Sequence, residues 1–567
     1  MSLFTSDRIL VAGSGHIAGY LFQRLRAGDR PAKQIADAQP PERALDSADT
    51  LILADPLPDP DPLAARLEEI CARRTPRRPP LRVILVHCGA PDPALPRLPD
   101  DARATLETYD LEYEAARSCL ARWPLHAGMD PPFGQTVHLL IAGTARPARA
   151  LAVHALRLIH YGDRLPVLTF CSPDPEAQRA DWEASFPQAD QFCRLRFTTP
   201  EHPDLIDQPP VTGVYVCEDV PEHGLETARK LAHLISAQQA VSPAIHLEVG
   251  EAVPAGSVAD WDGRILPFSW LRDACRPVVL LARQGDELAR VIHVHYQDSI
   301  AAPGRDPSEE PAGRPWEALP ASYRNANRHQ ADHLWAKLAV TDCRAVPEEL
   351  VESFAFAPLE GERLAVIEHA RWAADRYLDG WTYAPVRDNA RKHHPQLIPY
   401  EQLSGPMKDL DRFAVRLAPT LLARSGRGIV RMLIVGIPPV DATRTESNRL
   451  PPLADQALER LSRRYPDRSL VLASTLQDAT SRVLVRRGIE HYAAGLFLLC
   501  PAPLPSTLAA QPDDDARRDL LELAARAERR IALGGENELA RWLHLRAEIT
   551  LAVGAATGAA GEGKRVR

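Results

Sequence analysis

The stretch Arg8-Ile9-Leu10-Val11-Ala12-Gly13-Ser14-Gly15-His16-Ile17-Ala18-Gly19 decides the fold class of this chain. Arg8–Ala12 reads as a buried strand, the glycines as a tight turn, and the residues from His16 through Leu25 as a helix. In a Gly-x-Gly-x-x-Ala/Gly pattern the turn brings backbone N–H groups to a helix N-terminus, where the helix dipole favours a pyrophosphate. Gly13, Ser14, Gly15 and Ala18 are therefore candidate cofactor-binding positions. A turn kept only for structure fits the same residues. Further apolar strands are expected at Thr50–Ala54 and Leu81–His87, with a short polar strand at Gln34–Ala38 that leaves Asp37 as the candidate ribose contact.

A second cycle of the same order begins at Val137–Ala142. It continues with Gly143-Thr144-Ala145, a helix Ala148–Tyr161, a strand Val167–Cys171 and Asp174 just beyond it. Phe192–Thr198, Val211–Asp219 and Ala244–Val249 follow as strands, with a helix at His223–Ser236. Alternation of strand and helix predicts parallel sheets, so the fold class is α/β. The pair of cycles resembles tandem TrkA-N domains, the nucleotide-binding regulatory modules of potassium transport. Tyr161-Gly162-Asp163 and Val214-Tyr215-Val216-Cys217 match best. The resemblance implies Rossmann-like sheets and NAD(H) or another adenine nucleotide as cofactor, with Gly143 and Asp174 at the second site. Thr144 and Ala145 stand where that family carries glycine-containing positions.

The most distinctive pattern lies between Leu364 and Arg412. It reads Glu368-His369-Ala370-Arg371-Trp372, Gly380-Trp381-Thr382-Tyr383, Asp388, Lys392, His394-Pro395, Pro399-Tyr400, Leu403, Lys408 and Asp411-Arg412. Leu364, Ile367, Arg371, Ala374 and Leu378 recur at helical spacing beside a second stripe of Ala365, His369, Trp372 and Arg376, and Gly380 is a plausible C-terminal cap. Trp381 and Tyr383 offer flat rings with polar tips, while Lys392, His393 and His394 add cationic or switchable donors. Rings beside fixed cations suit an aromatic anion such as a nucleotide; Trp372 and Trp381 filling a small helical core is the other reading. The spacing resembles the RyR domain, the helical repeat named after ryanodine receptors and also found in bacterial soluble proteins. Trp316, Asn325, Asn327, His333 and Lys337 resemble the region preceding it in bacterial relatives. The resemblance implies ligand binding through His369, Arg371, Trp372, Trp381, Tyr383, Lys392, His394 and Tyr400.

From Gly428 onward, a strand Ile429–Ile437, a helix Pro452–Tyr465, a strand Leu470–Ala473 and a strand Gly495–Cys500 resemble the Rossmannoid SLOG superfamily. Ile437-Pro438-Pro439, Gln477 and Thr480 replace its glycines, which leaves Arg482 as the candidate phosphate clamp. Gly534-Gly535-Glu536-Asn537-Glu538 lacks the threonine and paired acid of a phosphoribohydrolase site. The expected organisation is 1–131 and 132–250 as TrkA-N-like Rossmann domains and 251–315 as a connector. A helical RyR domain at 316–422, a SLOG-like domain at 423–552 and a disordered tail at 553–567 complete it. The connector is expected to hold a strand Val278–Ala282, a helical run Asp286–His295 with His293 as a weak site candidate, and a linker at Ala301–Pro315.

At 567 residues the chain suits about three to five domains. A net charge of −8 with interspersed Arg and Glu argues against a dedicated duplex nucleic-acid binder. Nine cysteines without Cys-x-x-Cys spacing point away from zinc and from a disulfide framework, and no apolar run approaches the ~20 residues of a membrane span, so a cytoplasmic setting is expected. No nucleophile elbow, metal helix or Walker loop is present, and no catalytic or metal-ligating residue is assigned. These readings converge on a non-enzymatic nucleotide sensor, expected to form a homo-oligomer and to act on an effector or membrane partner. By resemblance such architectures belong to bacterial systems that detect nucleotide messengers, antiviral defence included. An NAD(H)-responsive regulator of a potassium channel or transporter and a SLOG-type nucleotide hydrolase are the alternatives.

Overall fold

The computed structural model describes residues 8–564 except 38–40, 56, 58–59, 75–77, 90–92, 94, 96–97, 99–102, 240–242, 252–264, 302–305, 307–310, 352, 441–449 and 554–559. The chain divides into two compact units. The first comprises Met1–Arg122, Arg149–His154 and Ser269–Arg328; the second comprises Trp123–Ala148, Ala155–Phe268 and His329–Arg567.

The first unit is built on a five-stranded sheet of β1 (Ile9–Ala12), β2 (Ala32–Ile35), β3 (Thr50–Ala54), β4 (Leu81–His87) and β5 (Ala104–Asp110), in the order β2-β1-β3-β4-β5 with every pair parallel. Alternate residues feed opposite faces, as a pleated strand requires. Ile9, Val11, Ile52, Ala54, Ile84 and Val86 pack with Ala18, Leu21 and Leu25 of the His16–Ala27 helix. Leu10, Leu51, Leu53, Val83 and Leu85 pack on the other face with Leu63, Leu67 and Ile70. Both faces are apolar because helices cover both, which is why the strands read as continuous hydrophobic runs. The second strand departs from expectation: it starts at Ala32, and as an edge strand it buries only Ala32 fully. The expected strand at Val278–Ala282 is a helix, Pro277–Leu280, with proline in its first turn and Val279 and Leu280 in the core on one face of the sheet.

The second unit holds two more sheets. One contains β6 (His138–Ala142), β7 (Val167–Cys171), β8 (Arg194–Thr198), β9 (Gly213–Val216), β10 (Ile245–Glu248) and β11 (Ile265–Phe268), all parallel in the order β11-β10-β9-β6-β7-β8. The expected connector thus supplies β11 to this sheet, while its helices Trp270–Ala274 and Glu287–Ala301 belong to the first unit. After β12 (Cys343–Pro347) and the two-residue strands β13 (Thr382–Tyr383) and β14 (His393–His394), the third sheet adds β15 (Arg427–Ile437), β16 (Arg468–Ser474), β17 (Gly495–Cys500), β18 (Arg529–Ala532), β19 (Ile549–Val553) and β20 (Ala560–Lys564). Its path is β18-β17-β16-β15-β19-β20, parallel from β18 to β19, with β12 antiparallel on β15. The tail expected to be disordered includes β20, which pairs antiparallel with β19 from Ile549↔Lys564 to Val553↔Ala560.

Candidate functional site

The helix Pro358–Leu378 carries the sequence pattern, and it ends as the glycine predicted. Gly380 adopts φ +79°, the Trp381 N–H donates to the Arg376 carbonyl and the Gly380 N–H to that of Tyr377, closing the helix through a left-handed residue. Leu364 and Ile367 pack with Val415 of the following helix, Gly405–Arg424. The same helix also buries charge. Glu368 is 4% exposed and accepts from Lys337 Nζ at 2.7 Å and from Arg371 Nε and Nη2 at 3.1 and 2.7 Å. Burial alone would raise its carboxyl, but Arg371 and Lys337 overcome that and hold it far below the ordinary range. Lys337 also donates to His333 Nδ1, so His333 keeps its own proton on Nε2, which donates to the His160 carbonyl. One turn on, Asp375 accepts from His329 and Arg157.

Three of the expected ligand contacts, Arg371, His369 and Tyr400, lie buried in the scaffold. Arg371 is buried and committed to Glu368, so its fork is not presented to a ligand. His369 is buried between the Ile398 carbonyl, 2.8 Å from Nε2, and Asp411, 3.2 Å from Nδ1. Tyr400 is likewise buried and donates its hydroxyl to Glu362. His333 and Lys337, singled out in the sequence, are parts of the same scaffold.

What remains at the surface is an aromatic and basic face. The buried His394 ring meets Trp372 edge-on at 4.8 Å and Trp381 at 6.0 Å. Its Nδ1 accepts from the Gln396 N–H, and burial, then Arg387 and Arg376, push its pKa down to about 4. His394 is thus a neutral spacer between two indoles, where the sequence suggested a switchable cation. Trp381 is half-buried, with the Arg376 guanidinium 5.4 Å from its ring centre. Tyr383 is 54% exposed. β13 and β14 pair Thr382 with His393 and Tyr383 with His394, which folds the intervening residues into an open cup lined by Pro385, Arg387, Asp388, Asn389, Arg391 and His393, with Asp388 3.6 Å from Arg391. Lys392, at φ +55°, donates to the Asp379 carbonyl beside it. Arg376 stood in the predicted stripe but was not singled out; its spacing of four from Trp372 was the available signal.

The glycine turns have their reason inside the chain. Gly13 sits at φ +142°, and a Cβ there would fall 1.7 Å from the Ala54 carbonyl oxygen; one on Gly15 would fall 1.8 Å from the Asp55 carboxylate. The Gly13 and Gly15 N–H groups donate to the carbonyls of Ile35 and Asp55. An amide already engaged, beside a carboxylate, is a poor pyrophosphate cradle. Ser14 is exposed and Ala18 lies in the core. Asp37 is exposed beyond β2. In the second sheet Gly143, at φ +98°, admits the Cys217 carbonyl, and Asp174 caps the Pro175–Ser185 helix by accepting from the Ala177 N–H.

Arg482, expected as a phosphate clamp, is 5% exposed and spends its donors on Asp519, Gln511 and the carbonyls of Leu476 and Gln477. The Gly534 N–H is engaged as well, donating to Glu538. His293 is a core residue whose Nε2 lies 2.7 Å from the Arg314 carbonyl. None of the nine cysteines is in a disulfide. Among the described residues no group of His, Cys, Asp and Glu is placed to hold a metal, and no helix is long and apolar enough to cross a membrane.

Residues 360–429 match the family model of the RyR domain. Solved structures similar to the chain include the following three. One of the subunits of dipicolinate synthase from Bacillus halodurans is 9% identical, with 50% of this chain and 98% of that one covered and a TM-score of 0.21. A putative D-3-phosphoglycerate dehydrogenase from Ralstonia solanacearum is 10% identical over 49% and 95%, with a TM-score of 0.18. A solute-binding protein of an ABC transporter system from Aeropyrum pernix K1 is 10% identical over 65% and 98%, with a TM-score of 0.23.

Proposed function

We propose that this chain is a non-enzymatic nucleotide sensor whose RyR domain receives the ligand on the face made by Trp372, Trp381, Tyr383 and Lys392. The observation that carries the reading is the Trp381 ring, half-buried, with Arg376 over it, Arg387 and Arg391 lining the adjoining cup beside Asp388, and exposed Lys392 held on the Asp379 carbonyl. A base stacking on an aromatic ring gains about 1–3 kcal/mol, and the neighbouring cations favour the phosphate that travels with it. His369, Arg371 and Tyr400 hold the scaffold beneath that face. The ligand class is a nucleotide or a cyclic oligonucleotide.

The kinship of the first two sheets with TrkA-N modules and of the third with SLOG domains is part of this proposal. So are a cytoplasmic setting, a homo-oligomer, and an effector or membrane partner that reads the ligand state, in signalling of the antiviral-defence kind. Ligand acts by population shift, stabilising one arrangement by no more than its differential affinity for the two. Against the alternatives stand two observations: Asp55 beside Gly15 opposes an NAD(H) pyrophosphate in the first turn, and Arg482 is spent on Asp519 and Gln511.

The experiment is a thermal-shift panel of the whole chain with NAD, NADH, ADP-ribose, ATP and cyclic di- and oligonucleotides, since a ligand of the native state raises the transition temperature. A shift lost in Trp381→Ala, with the unliganded transition unchanged, supports the reading. An unliganded transition that falls as far as that of a core truncation assigns Trp381 to packing instead.

A further inference from the structure

A second cavity lies wholly within the first unit, independent of the RyR face. It opens at the carboxyl ends of β4 and β5, the edge at which open parallel sheets bind ligands. Its walls include Glu107, Asp110, Arg283, Asp286, Arg324 and Arg328. The volume is about 70 Å³, well below the few hundred Å³ that a whole small-molecule ligand occupies.

The charges in this cavity are paired, with one exception. Glu107 accepts from Arg82 at 2.5 Å and from Arg283 at 2.7 Å. Asp286 accepts from Arg117 at 2.8 Å and from Arg328 at 2.6 Å, and Glu114 lies 3.5 Å from Arg117 and 3.9 Å from Arg328. Asp110 receives the backbone N–H groups of Gly89, Glu112 and Tyr113. Arg290 pairs with Glu317 at 2.8 Å. Arg324 alone among the arginines lining the cavity makes no ion pair and no side-chain hydrogen bond with the described residues. It is half-buried in the first turn of the helix Ala321–Asp332, and burial, then the nearby Arg328, lowers its pKa. A guanidinium offers a planar fork of N–H donors shaped for a carboxylate or a phosphate. Glu107 and Asp286 act on Arg324 from across the cavity in the opposite direction to Arg328 and Arg283, but neither meets its donors, so an anion gains by meeting them.

We propose that the first unit binds a small oxyanion, the carboxylate or phosphate end of a metabolite, on Arg324 at the carboxyl edge of β4 and β5. The cavity admits the anionic group and leaves the remainder of the molecule outside. Because every cavity carboxylate already has a donor, the incoming anion does not displace an internal pair.

Phenylglyoxal labelling of the full chain, read at each arginine by peptide mass spectrometry, tests this directly. Inorganic phosphate or acetate is added against chloride at equal ionic strength. The expected result is that Arg324 reacts faster than Arg283 and Arg328, and that phosphate or acetate slows it about tenfold while exposed Arg518 keeps its rate, a difference that corresponds to high occupancy of a specific site. Protection by phosphate alone identifies a phosphate end, and protection by acetate alone a carboxylate. Equal rates at Arg324 in chloride, phosphate and acetate overturn the proposal. A second readout is the anion-dependent rise in melting temperature, expected to be smaller in Arg324→Gln than in the native chain; an equal rise in both also overturns the proposal.

Discussion

Replacing Glu368 with Gln changes one atom and, on this structure, removes the single anion that two buried cations share. Glu368 is 4% exposed, Lys337 3% and Arg371 4%, so none of the three has bulk water to fall back on. The wild-type carboxylate takes three short hydrogen bonds, from Lys337 Nζ and from Arg371 Nε and Nη2. Breaking a buried ion pair by removing one partner costs about 3–5 kcal/mol, because the remaining charge stays desolvated. Glu368→Gln is therefore expected to destabilise the second unit by about that amount. Lys337→Met is expected to cost less, about 1–3 kcal/mol, since it leaves the Glu368–Arg371 fork balanced and removes one charge-assisted bond. The two changes touch the same carboxylate, so the double variant should fall short of their sum by about 0.5–3 kcal/mol. Urea unfolding followed by tryptophan fluorescence measures the losses, and hydrogen exchange in the Pro358–Leu378 helix localises them. A Glu368→Gln protein within about 1 kcal/mol of the wild type would refute the argument that this carboxylate neutralises the scaffold.

Asp130→Asn should cost about 3–5 kcal/mol by the same reasoning, because its fully buried carboxylate accepts from Arg529 at 2.6 Å and from Arg546 at 2.7 Å; an unchanged urea midpoint would contradict this. Acid should destabilise the chain before its carboxylates titrate. Burial pushes His138 and His160 from 6.5 down to about 4, so between those values the unfolded chain binds protons that the fold refuses, and stability falls as pH drops through that window. A melting temperature that is flat across the window, or unaltered in its slope by His138→Gln, would argue against it. Gly13→Ala should cost more than about 1 kcal/mol through its positive φ and the Ala54 carbonyl, measured as a drop in melting temperature.

The strands most plainly legible in the sequence are those buried on both faces, although the expected Phe192–Thr198 run also contains the edge strand β8, none of whose residues is fully buried. β1, β3, β4, β6, β7 and β17 are apolar throughout or nearly so, and each stood out as a run. β2 was misplaced because an edge strand with one fully buried residue leaves no hydrophobic signature. Val278 to Ala282 misled for the opposite reason, as a short apolar run serves a strand or a buried helical turn equally well. In the RyR segment the spacing located the helix and its glycine stop. It could not say which polar residues face inward, because the partners of Glu368, His369 and Asp375 include Lys337, Asp411 and His329, distant in sequence and adjacent only in the fold. Only Arg371, three residues from Glu368, had its partner in local view. The glycine fingerprint was ambiguous in a similar way: a turn that lets a pyrophosphate approach a backbone also lets Asp55 approach it.

Hydrogen exchange of the whole chain, with and without each nucleotide that raises the melting temperature, locates where a nucleotide binds. Slowed exchange is expected across Trp372 to His394, with the Ile9–Ala12 strand and the His16–Ala27 helix unchanged. Protection centred on the Gly13–Gly15 turn, with none around Trp381, would contradict this.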